Sequence, residues 1–442
     1  MSSHPTIHLA SLGCAKNLVD SERLLARLAE SGGLVGAPPE EADVILVNTC
    51  GFIAPAKRES MAVIAEYAAY KEADPHTRIL VMGCLVERER EALRTELPFV
   101  DGFFGLGEQE AIVEACGLSP EEDDGARLLL TPAHTAYLRI SDGCDNRCAY
   151  CTIPLIRGPF RSRHPEVILR EAQDLAANGV RELNVIGQDT TSYGRDLPES
   201  YPIDRLLREI AEIEDLQWLR LLYAHPAHFS DDLVETFVET PKLCPYIDLP
   251  LQHLDDEILR RMGRRVTQAD CIELIATLRD RLPDVAIRTT FIVGFPGESA
   301  SAFQTLVSLV KELQFEHLGA FAYSREPGTP AAEFPDQISE AEKDRRVDEM
   351  MLAQQMIAFA RNRARIGERY EVILDGPTDE PNVWVGRTQM QAPDVDSVTF
   401  VHGRNLRAGQ FLDVRIADVD GYDLIAEPSH RVGSHPNASI LS

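Results

Sequence analysis

The sequence predicts an α/β protein of three parts: an N-terminal parallel α/β domain, an open (β/α)6 barrel and a C-terminal small antiparallel β-barrel. Apolar strands alternate with helical patterns in the first part of the chain. Six further strand–helix pairs follow Tyr137, and after Tyr370 the pattern changes to short alternating strands. We therefore expect domains at residues 5–120, at 130–368 (the barrel with a connecting helix) and at 370–436.

Charge and composition narrow the class of protein. The 442 residues include 71 acidic and 44 basic side chains, a net charge of −27. The chain as a whole should not attract nucleic acid, whereas a basic protein partner fits this charge. Neither a signal peptide nor an apolar run of about eighteen residues is evident, so we expect a cytoplasmic protein without membrane contact. The nine cysteines then suit metal or redox chemistry better than disulfides.

A cysteine follows each of three apolar strands in the N-terminal part. The strands are expected at Ile7–Ser11, Val44–Val47 and Ile79–Met82, and the cysteines are Cys14, Cys50 and Cys84. Helical patterns, such as Leu18–Ala29 and Ala56–Lys71, separate the strands. This alternation indicates a parallel sheet buried on both faces.

Ligand sites in such sheets lie beyond the carboxyl ends of the strands, so these three cysteines should converge although they are far apart in sequence. Three thiolates can hold an iron–sulfur cluster and leave one iron open. The alternative is three independent buried thiols, which would not be expected at equivalent points of three units. We predict a three-thiolate cluster here.

The second part of the chain predicts a barrel. It follows an acidic stretch at residues 121–125, which we interpret as a solvated linker. The strands are expected at Tyr137–Ile140, Leu183–Ile186, Trp218–Tyr223, Tyr246–Leu249, Ile287–Val293 and Leu318–Tyr323. The intervening helices are expected at Pro165–Ala177, Asp204–Ile213, Asp231–Val238, Gln268–Arg281 and Ser301–Leu313. The active face of such a barrel lies at the carboxyl ends of its strands.

Three closely spaced cysteines follow the first barrel strand. Cys144, Cys148 and Cys151 have the spacing Cys-x3-Cys-x2-Cys, with no fourth cysteine nearby. A zinc site would normally add a fourth Cys or His at short range. A cubane iron–sulfur cluster held by three thiolates leaves one iron free to bind a ligand. Three purely structural cysteines on a loop are the alternative, but three soft ligands at this spacing favour a metal.

Other loops at the predicted active face favour cofactor contact over simple turns. Gly187-Gln188-Asp189-Thr190 follows the second strand, Leu249-Pro250-Leu251-Gln252-His253 ends the fourth, and Gly294-Phe295-Pro296-Gly297-Glu298 ends the fifth. Arg157, Arg161 and Arg163 form a small basic patch, which we interpret as a solvated face, with contact to an acidic substrate as the alternative.

The last part of the chain begins after a long helix expected at Ser339–Arg365, with a buried apolar stripe. Strands are then expected at Tyr370–Leu374, Val383–Arg387, Val398–Val401, Phe411–Ile416 and Asp423–Glu427. Small barrels of this kind often bind nucleic acid. Residues 370–442, however, contain 11 acidic and 5 basic side chains, a net charge of −6, which should repel phosphates.

The whole layout resembles the radical SAM methylthiotransferase family, in which SAM is S-adenosyl-L-methionine. The resemblance implies two 4Fe-4S clusters, an auxiliary one on Cys14, Cys50 and Cys84 and a radical SAM cluster on Cys144, Cys148 and Cys151. It also places Tyr150, Gln188, Ile292 and Gly294 near SAM, and it identifies the C-terminal barrel as a TRAM domain. No side chain is assigned as a catalytic acid or base, because the cofactors perform the chemistry.

The family has one branch that modifies tRNA adenosine and one that modifies an aspartate of ribosomal small-subunit protein S-twelve. The stretches Ser11–Glu22 and Gly386–Asp396 resemble the second branch. That resemblance implies addition of a methylthio group to the aspartate β-carbon, with an electron donor such as flavodoxin or ferredoxin and a sulfur donor as further partners. RNA would not be the primary substrate. A tRNA methylthiotransferase and a non-catalytic iron–sulfur protein remain the alternatives.

Overall fold

The computed structural model describes residues 4–121 and 125–429. Residues 122–124 of the predicted acidic linker, and the predicted C-terminal boundary at residue 436, lie outside the described residues. Within the described ranges, no helix has the length and apolarity needed to cross a membrane.

The N-terminal part forms a five-stranded parallel sheet of order β2-β1-β3-β4-β5. Its strands are β1 (Thr6–Ser11), β2 (Leu34–Val35), β3 (Val44–Thr49), β4 (Arg78–Gly83) and β5 (Gly102–Phe104). Its helices are α1 (Ala15–Glu30), α2 (Ala54–Ala73), α3 (Cys84–Glu96) and α4 (Gln109–Ala115). Every residue of β3 is buried, because apolar side chains cover both faces of the sheet.

The middle part contains two three-stranded parallel sheets, of order β10-β9-β6 and β11-β12-β13. The strands are β6 (Thr135–Arg139), the short antiparallel pair β7 (Ser141–Asp142) and β8 (Arg161–Ser162), β9 (Glu182–Ile186), β10 (Trp218–Leu221), β11 (Tyr246–Asp248), β12 (Ala286–Val293) and β13 (His317–Ala322). Backbone bonds from Leu219 to Lys242 and from Cys244 to Leu219 join the two sheets between β10 and β11. The six long strands therefore form an arc, with β6 and β13 at its free edges, which confirms the open barrel.

Two short helices, α5 (Ile153–Ile156) and α9 (Asp256–Arg261), lie in the loops after β7 and β11. The helices that pack on the outside of the arc are α6 (Pro165–Ala177), α7 (Ile203–Ala211), α8 (Asp231–Glu239), α10 (Gln268–Arg281), α11 (Ala300–Leu313) and α12 (Glu340–Ala364). Side chains cap several amino termini; a capping box of Thr267 and Asp270, for example, begins α10. Met350 and Ile357 of α12 are buried in the barrel core, as its apolar stripe predicts.

The C-terminal part is a closed barrel of order β14-β15-β16-β18-β17. Its strands are β14 (Arg369–Pro377), β15 (Val383–Thr388), β16 (Thr399–His402), β17 (Phe411–Asp420) and β18 (Asp423–Pro428). Four of its strand pairs are antiparallel, and β16 pairs with β18 in parallel. The five predicted strands are present, and the parallel pair is the one feature that their sequence pattern does not reveal.

Candidate active site

The structure brings the three N-terminal cysteines together. Cys14, Cys50 and Cys84 follow β1, β3 and β4, which are neighbours in the sheet. Cys14 is exposed, whereas the other two are buried. Burial raises the pKa of Cys84 to about 12, and the charges of Cys14 and Cys50 add to the increase. The three thiols are thus close enough to act on one another electrostatically, and we refer to them as the N-terminal trio.

Two glycines allow the close approach at this site. Gly13 has φ +90°, and a Cβ there would lie 2.7 Å from Cβ of Cys50 and 3.1 Å from its Sγ. Gly83 has φ +101°, and a Cβ there would lie 2.3 Å from Oδ1 of Asn48. Both positions combine a left-handed backbone with no room for a side chain. The loops that carry Cys14 and Cys84 therefore depend on glycine.

Polar side chains fix the backbone of the N-terminal trio. Asn17 donates from Nδ2 to the Leu12 and Thr49 carbonyls, at 3.1 and 3.0 Å, and its Oδ1 lies 3.2 Å from the Cys84 Sγ. The Ser60 hydroxyl accepts from the Cys50 amide at 3.1 Å and donates to the Cys50 carbonyl at 3.0 Å. These hydrogen bonds fix the three loops relative to one another, so that the three thiols point toward the same space.

Arg157 corrects one interpretation made from the sequence. It is buried rather than solvated, and it donates to Asp20 at 2.8 Å and to Asp142 at 3.1 Å. Its Nη2 lies 3.7 Å from the Cys84 Sγ. Arg163 likewise binds Glu171, at 2.6 Å, and only Arg161 is exposed. The sequence pattern could not reveal this burial, because the partner Asp20 belongs to the distant helix α1.

The middle trio, Cys144, Cys148 and Cys151, lies on the loop between β7 and β8. The Ala149 amide donates to the Met262 carbonyl at 2.8 Å, and the Cys144 amide donates to the Gly158 carbonyl at 3.2 Å. Burial raises the pKa of Cys144 to about 11 and that of Cys151 to about 12. Such thiols stay protonated at neutral pH unless a metal displaces the proton.

The two trios face one region. Thr152, next to Cys151, donates to the carbonyl of Phe52 at 3.0 Å, and α5 packs against α3. Arg157, on the loop of the middle trio, reaches Cys84 of the N-terminal trio. Arg88 of α3 forms a buried salt bridge with Glu326, beyond β13, at 2.8 Å. Residues from the N-terminal sheet and the barrel thus share one site at the carboxyl ends of both sets of strands.

The residues expected near SAM lie around this region. Tyr150 packs edge-on against Phe295 at 6.5 Å and shares an apolar cluster with Ile292. Gly294 has φ +73°, and a Cβ there would lie 2.4 Å from Cγ of Lys343. Packing against α12 therefore explains this glycine without any ligand.

Two glutamines at the barrel mouth have unsatisfied buried oxygens. Oε1 of Gln188 and Oε1 of Gln252 have no hydrogen-bond partner within the described residues. A buried polar atom without a partner costs free energy. Both atoms are therefore available to a polar ligand at this end of the strands.

The donor sets fit iron–sulfur clusters. Among the described residues, no group of His, Cys, Asp or Glu side chains is placed to hold a single metal ion. A cubane cluster makes a different demand, since each thiolate binds a separate iron at its corner. Two sets of three soft thiol ligands, with no carboxylate or imidazole among them, match that demand.

Sequence reasoning overlooked Asn146, and it noted the loop that contains Asp189 without assigning a role to that side chain. Asn146, two residues after Cys144, donates to Asp189 at 2.7 Å, and Asp189 also contacts His228 at 2.8 Å. Burial alone would raise the pKa of Asp189, but bonds from His228 and Thr191 hold it well below its ordinary value. Asp189 thus anchors the loop of the middle trio as an anion. Asn17 and Lys16 were also overlooked; the available signal was their polarity on the first turn after Cys14.

Comparison with known protein families divides the chain into the same three parts. Residues 6–105 match the model described as Uncharacterized protein family UPF0004, residues 138–310 match the Radical SAM superfamily and residues 366–428 match the TRAM domain. The structure also resembles a radical S-adenosylmethionine methyltransferase, TsrM from Kitasatospora setae, solved with cobalamin and a 4Fe-4S cluster. The TM-score is 0.54, at 16% identity over 74% of each chain, which is a likeness of fold.

Curated relatives extend over almost the whole chain. Ribosomal protein uS12 methylthiotransferase RimO from Geobacter sulfurreducens is 46% identical, over 95% of this chain and 98% of its own length. The protein of the same name from Desulforamulus reducens is 44% identical, over 96% of this chain and 99% of its own. With two cysteine trios facing one region and this identity over nearly full length, the chain belongs to the RimO-type radical SAM methylthiotransferase family.

Proposed function

We propose that this enzyme adds a methylthio group to the β-carbon of an aspartate in ribosomal protein uS12. The observation that carries the proposal is the joining of the two trios. Thr152 and Arg157 follow the middle trio on the same loop. Thr152 contacts Phe52 and Arg157 contacts Cys84, both in the N-terminal part. One substrate side chain can therefore lie between two sites of iron chemistry. The near full-length identity to RimO proteins supports uS12 as the substrate.

The cofactors are SAM and two 4Fe-4S clusters. The N-terminal trio would hold the auxiliary cluster, and the middle trio would hold the radical SAM cluster. When bound, these groups supply the electron for SAM cleavage and the site of sulfur transfer, chemistry that no amino acid side chain provides.

The protein's own contribution is binding, orientation and exclusion of water. Asn17 and Ser60 hold the loops of the N-terminal trio, and Asp189 holds the loop of the middle trio through Asn146. Tyr150, Ile292 and Phe295 provide an apolar wall beside the middle trio. Such a wall keeps water away from a reactive intermediate.

We further propose that SAM contacts Tyr150, Gln188, Ile292 and Gly294. The unpartnered Oε1 of Gln188 supports its assignment, because a ligand donor would satisfy that buried oxygen. The apolar cluster shared by Tyr150 and Ile292 offers a surface for the adenine ring.

The proposed reaction needs two further partners. They are a one-electron donor, such as flavodoxin or ferredoxin, and a sulfur donor. The enzyme would act in the cytoplasm, where uS12 is found, with RNA not its primary substrate. The three domains would comprise residues 5–120, 130–368 and 370–436.

The substrate is tested by product mass. The reconstituted enzyme is incubated with SAM and reductant, in parallel with uS12 and with tRNA. We expect uS12 to gain the mass of one methylthio group less the β-hydrogen that it replaces, on one aspartate, and tRNA to remain unchanged. A methylthio group found only on tRNA would show that the substrate assignment is wrong. Absence of 5′-deoxyadenosine from every reaction would favour a non-catalytic iron–sulfur protein.

The ligand assignment is tested by iron content. A variant with Cys14, Cys50 and Cys84 all changed to Ala should keep about four irons, against about eight in the wild type. A variant with Cys116, Cys244 and Cys271 changed to Ser is the matched control; these thiols are buried core residues, so the iron content should not fall. Equal iron in the wild type and the first variant would contradict the two-cluster assignment.

A further inference from the structure

Lys16 is a buried cation at the edge of the N-terminal trio. It lies in the first turn of α1, two residues after Cys14, and only 6% of it is exposed. Its ammonium group lies 2.8 Å from the centroid of the Tyr223 ring, at the carboxyl end of β10. Lys16 therefore reaches from the N-terminal sheet to the mouth of the barrel.

No carboxylate among the described residues forms a salt bridge with this ammonium group. Besides Arg127 and Arg157, whose buried guanidinium groups form salt bridges, seven Lys and Arg residues among those described are buried: Lys16, Arg139, Arg220, Arg264, Lys343, Arg346 and Arg387. Five of the seven form salt bridges, and Arg264 donates to the carbonyl of Pro250 at 2.6 Å. Lys16 alone has neither an ion pair nor a hydrogen bond within the described part of the chain.

The nearby acidic side chains are already engaged. Asp248 binds Arg288 at 2.9 Å and accepts from the Tyr223 amide at 2.9 Å. Asp142 binds Arg157 at 3.1 Å. Contact with an aromatic face stabilises a cation by less than the cost of burying an unpaired charge. A bound anion would therefore supply the ion-pair partner that this ammonium group lacks.

The position of Lys16 indicates which anion it would bind. Cys14 and Gly13 are exposed, so the N-terminal trio is open on the side where α1 begins. The backbone of Tyr223 is left-handed, with φ +62°. The hydrogen bond from its backbone amide to the Asp248 carboxylate fixes the ring beneath the ammonium group. The ammonium group of Lys16 thus lies beside the exposed cysteine of the N-terminal trio, on the side that faces the barrel.

We propose that Lys16 binds the carboxylate of the substrate aspartate and so selects an acidic side chain over a neutral one. This assignment rests on the proposed function. The β-carbon of an aspartate is bonded to its carboxylate carbon, so a cation that holds the carboxylate also fixes the carbon that receives the methylthio group. A charge-assisted bond formed away from water provides both affinity and orientation.

The test measures how strongly the carboxylate contributes to binding. The modified aspartate is first identified by mass in wild-type product, and uS12 carrying Asn at that position is prepared. Dissociation constants of both uS12 forms are measured with three reconstituted enzymes: wild type, Lys16→Met and Lys71→Met. Lys71 is the control, since it binds Asp101 near the carboxyl end of α2, the end remote from the trios.

We expect the wild type and Lys71→Met to bind the aspartate form about 30-fold more tightly than the asparagine form. In Lys16→Met this ratio should fall below about 3, whereas Lys71→Met should keep the wild-type ratio. A ratio that remains at the wild-type value in Lys16→Met overturns the proposal, as does a wild-type ratio near one.

Two other outcomes separate a failure of the proposed function from a failure of the role assigned to Lys16. If the wild-type enzyme does not modify uS12, the proposed function itself is wrong. If Lys16→Met and Lys16→Gln both lose about four irons, the lysine holds the N-terminal cluster and the proposal for the carboxylate is overturned.

Discussion

At the scale of single residues, Gly13 limits the geometry of the N-terminal trio most directly. Its left-handed backbone turns the chain from β1 into α1, and the space that a Cβ would occupy belongs to the Cys50 side chain. An added methyl group would therefore meet two constraints together, backbone strain and collision with a cluster ligand. Adding one methyl group at Gly13 therefore acts directly on the Cys50 thiol.

We expect Gly13→Ala to lose about four irons per chain, because Cys50 must move away from its position. Gly36→Ala is the matched control: Gly36 has φ +87°, yet nothing lies within 4 Å of an added Cβ. It carries the same strain of about 1 kcal/mol without the collision, and it should keep about eight irons. Iron and sulfide analysis measures both. An unchanged iron content in Gly13→Ala would mean that the Cys50 position is not critical.

The residues that the sequence could and could not predict differ in one respect. Cys14, Cys50 and Cys84 were predictable, because each follows an apolar strand and the ends of parallel strands meet at one edge. Arg157 and Lys16 were not, because their burial depends on Asp20 and Tyr223, which other elements supply. A charged residue read alone is normally assigned to the surface. Only the packing of α1 against the barrel changes that assignment.

At the scale of elements, a buried ionic network joins the middle barrel to the C-terminal barrel. Glu182 of β9 binds Arg387 of β15 at 2.7 Å and Arg220 of β10 at 3.3 Å. Arg387 also binds Asp375 of β14 at 2.8 Å. Burial by itself would raise the pKa of Glu182, but the two guanidinium groups bring it below its ordinary value. The network is therefore fully charged near neutral pH.

This network predicts how stability depends on pH. A carboxylate whose pKa is lower in the folded state stabilises that state fully above its unfolded pKa of about 4.3. This stabilisation is lost as the pH falls through the pKa of the folded state. We expect the melting temperature of the wild type to fall below about pH 4.3, and that of Glu182→Gln to change less over the same range. At pH 7, Glu182→Gln should be less stable by about 3 kcal/mol.

The matched control is Glu235→Gln, which removes one partner of an exposed pair with Arg281. Exposed pairs contribute little, so its melting curve should follow that of the wild type at each pH. Parallel curves for the wild type and Glu182→Gln in acid would contradict the role of the network.

Elements were predicted more completely than their pairing. The bounds of α6 and α10 agree with the sequence pattern, since Pro165 and Thr267 are clear signals for the start of a helix. Helix α1 begins at Ala15, three residues before the predicted start. The parallel pairing of β16 with β18 could not be predicted, because alternation of apolar residues fixes the buried face of a strand but not the direction of its neighbour.

At the scale of the whole molecule, the charge of −27 governs how partners approach. Ribosomal proteins are generally basic, so long-range attraction should accelerate the encounter with uS12 and repel RNA. We expect the association rate constant with uS12 to fall about tenfold or more between 50 and 500 mM salt, with the dissociation rate changing less. Stopped-flow fluorescence measures both rates, and an association rate independent of salt would contradict electrostatic steering.

The salt bridge between Arg88 and Glu326 bears on how uS12 enters the enzyme. Arg88 also donates to the Gly51 carbonyl at 2.9 Å, and the Ala54 amide donates to Glu326 at 2.8 Å. Swinging the N-terminal sheet away from the barrel would break the two contacts that Glu326 makes with Arg88 and with the Ala54 amide, at a cost of several kcal/mol. We therefore expect the N-terminal sheet and the barrel to keep these contacts while uS12 binds, so that the substrate aspartate reaches the two trios without separation of the two parts.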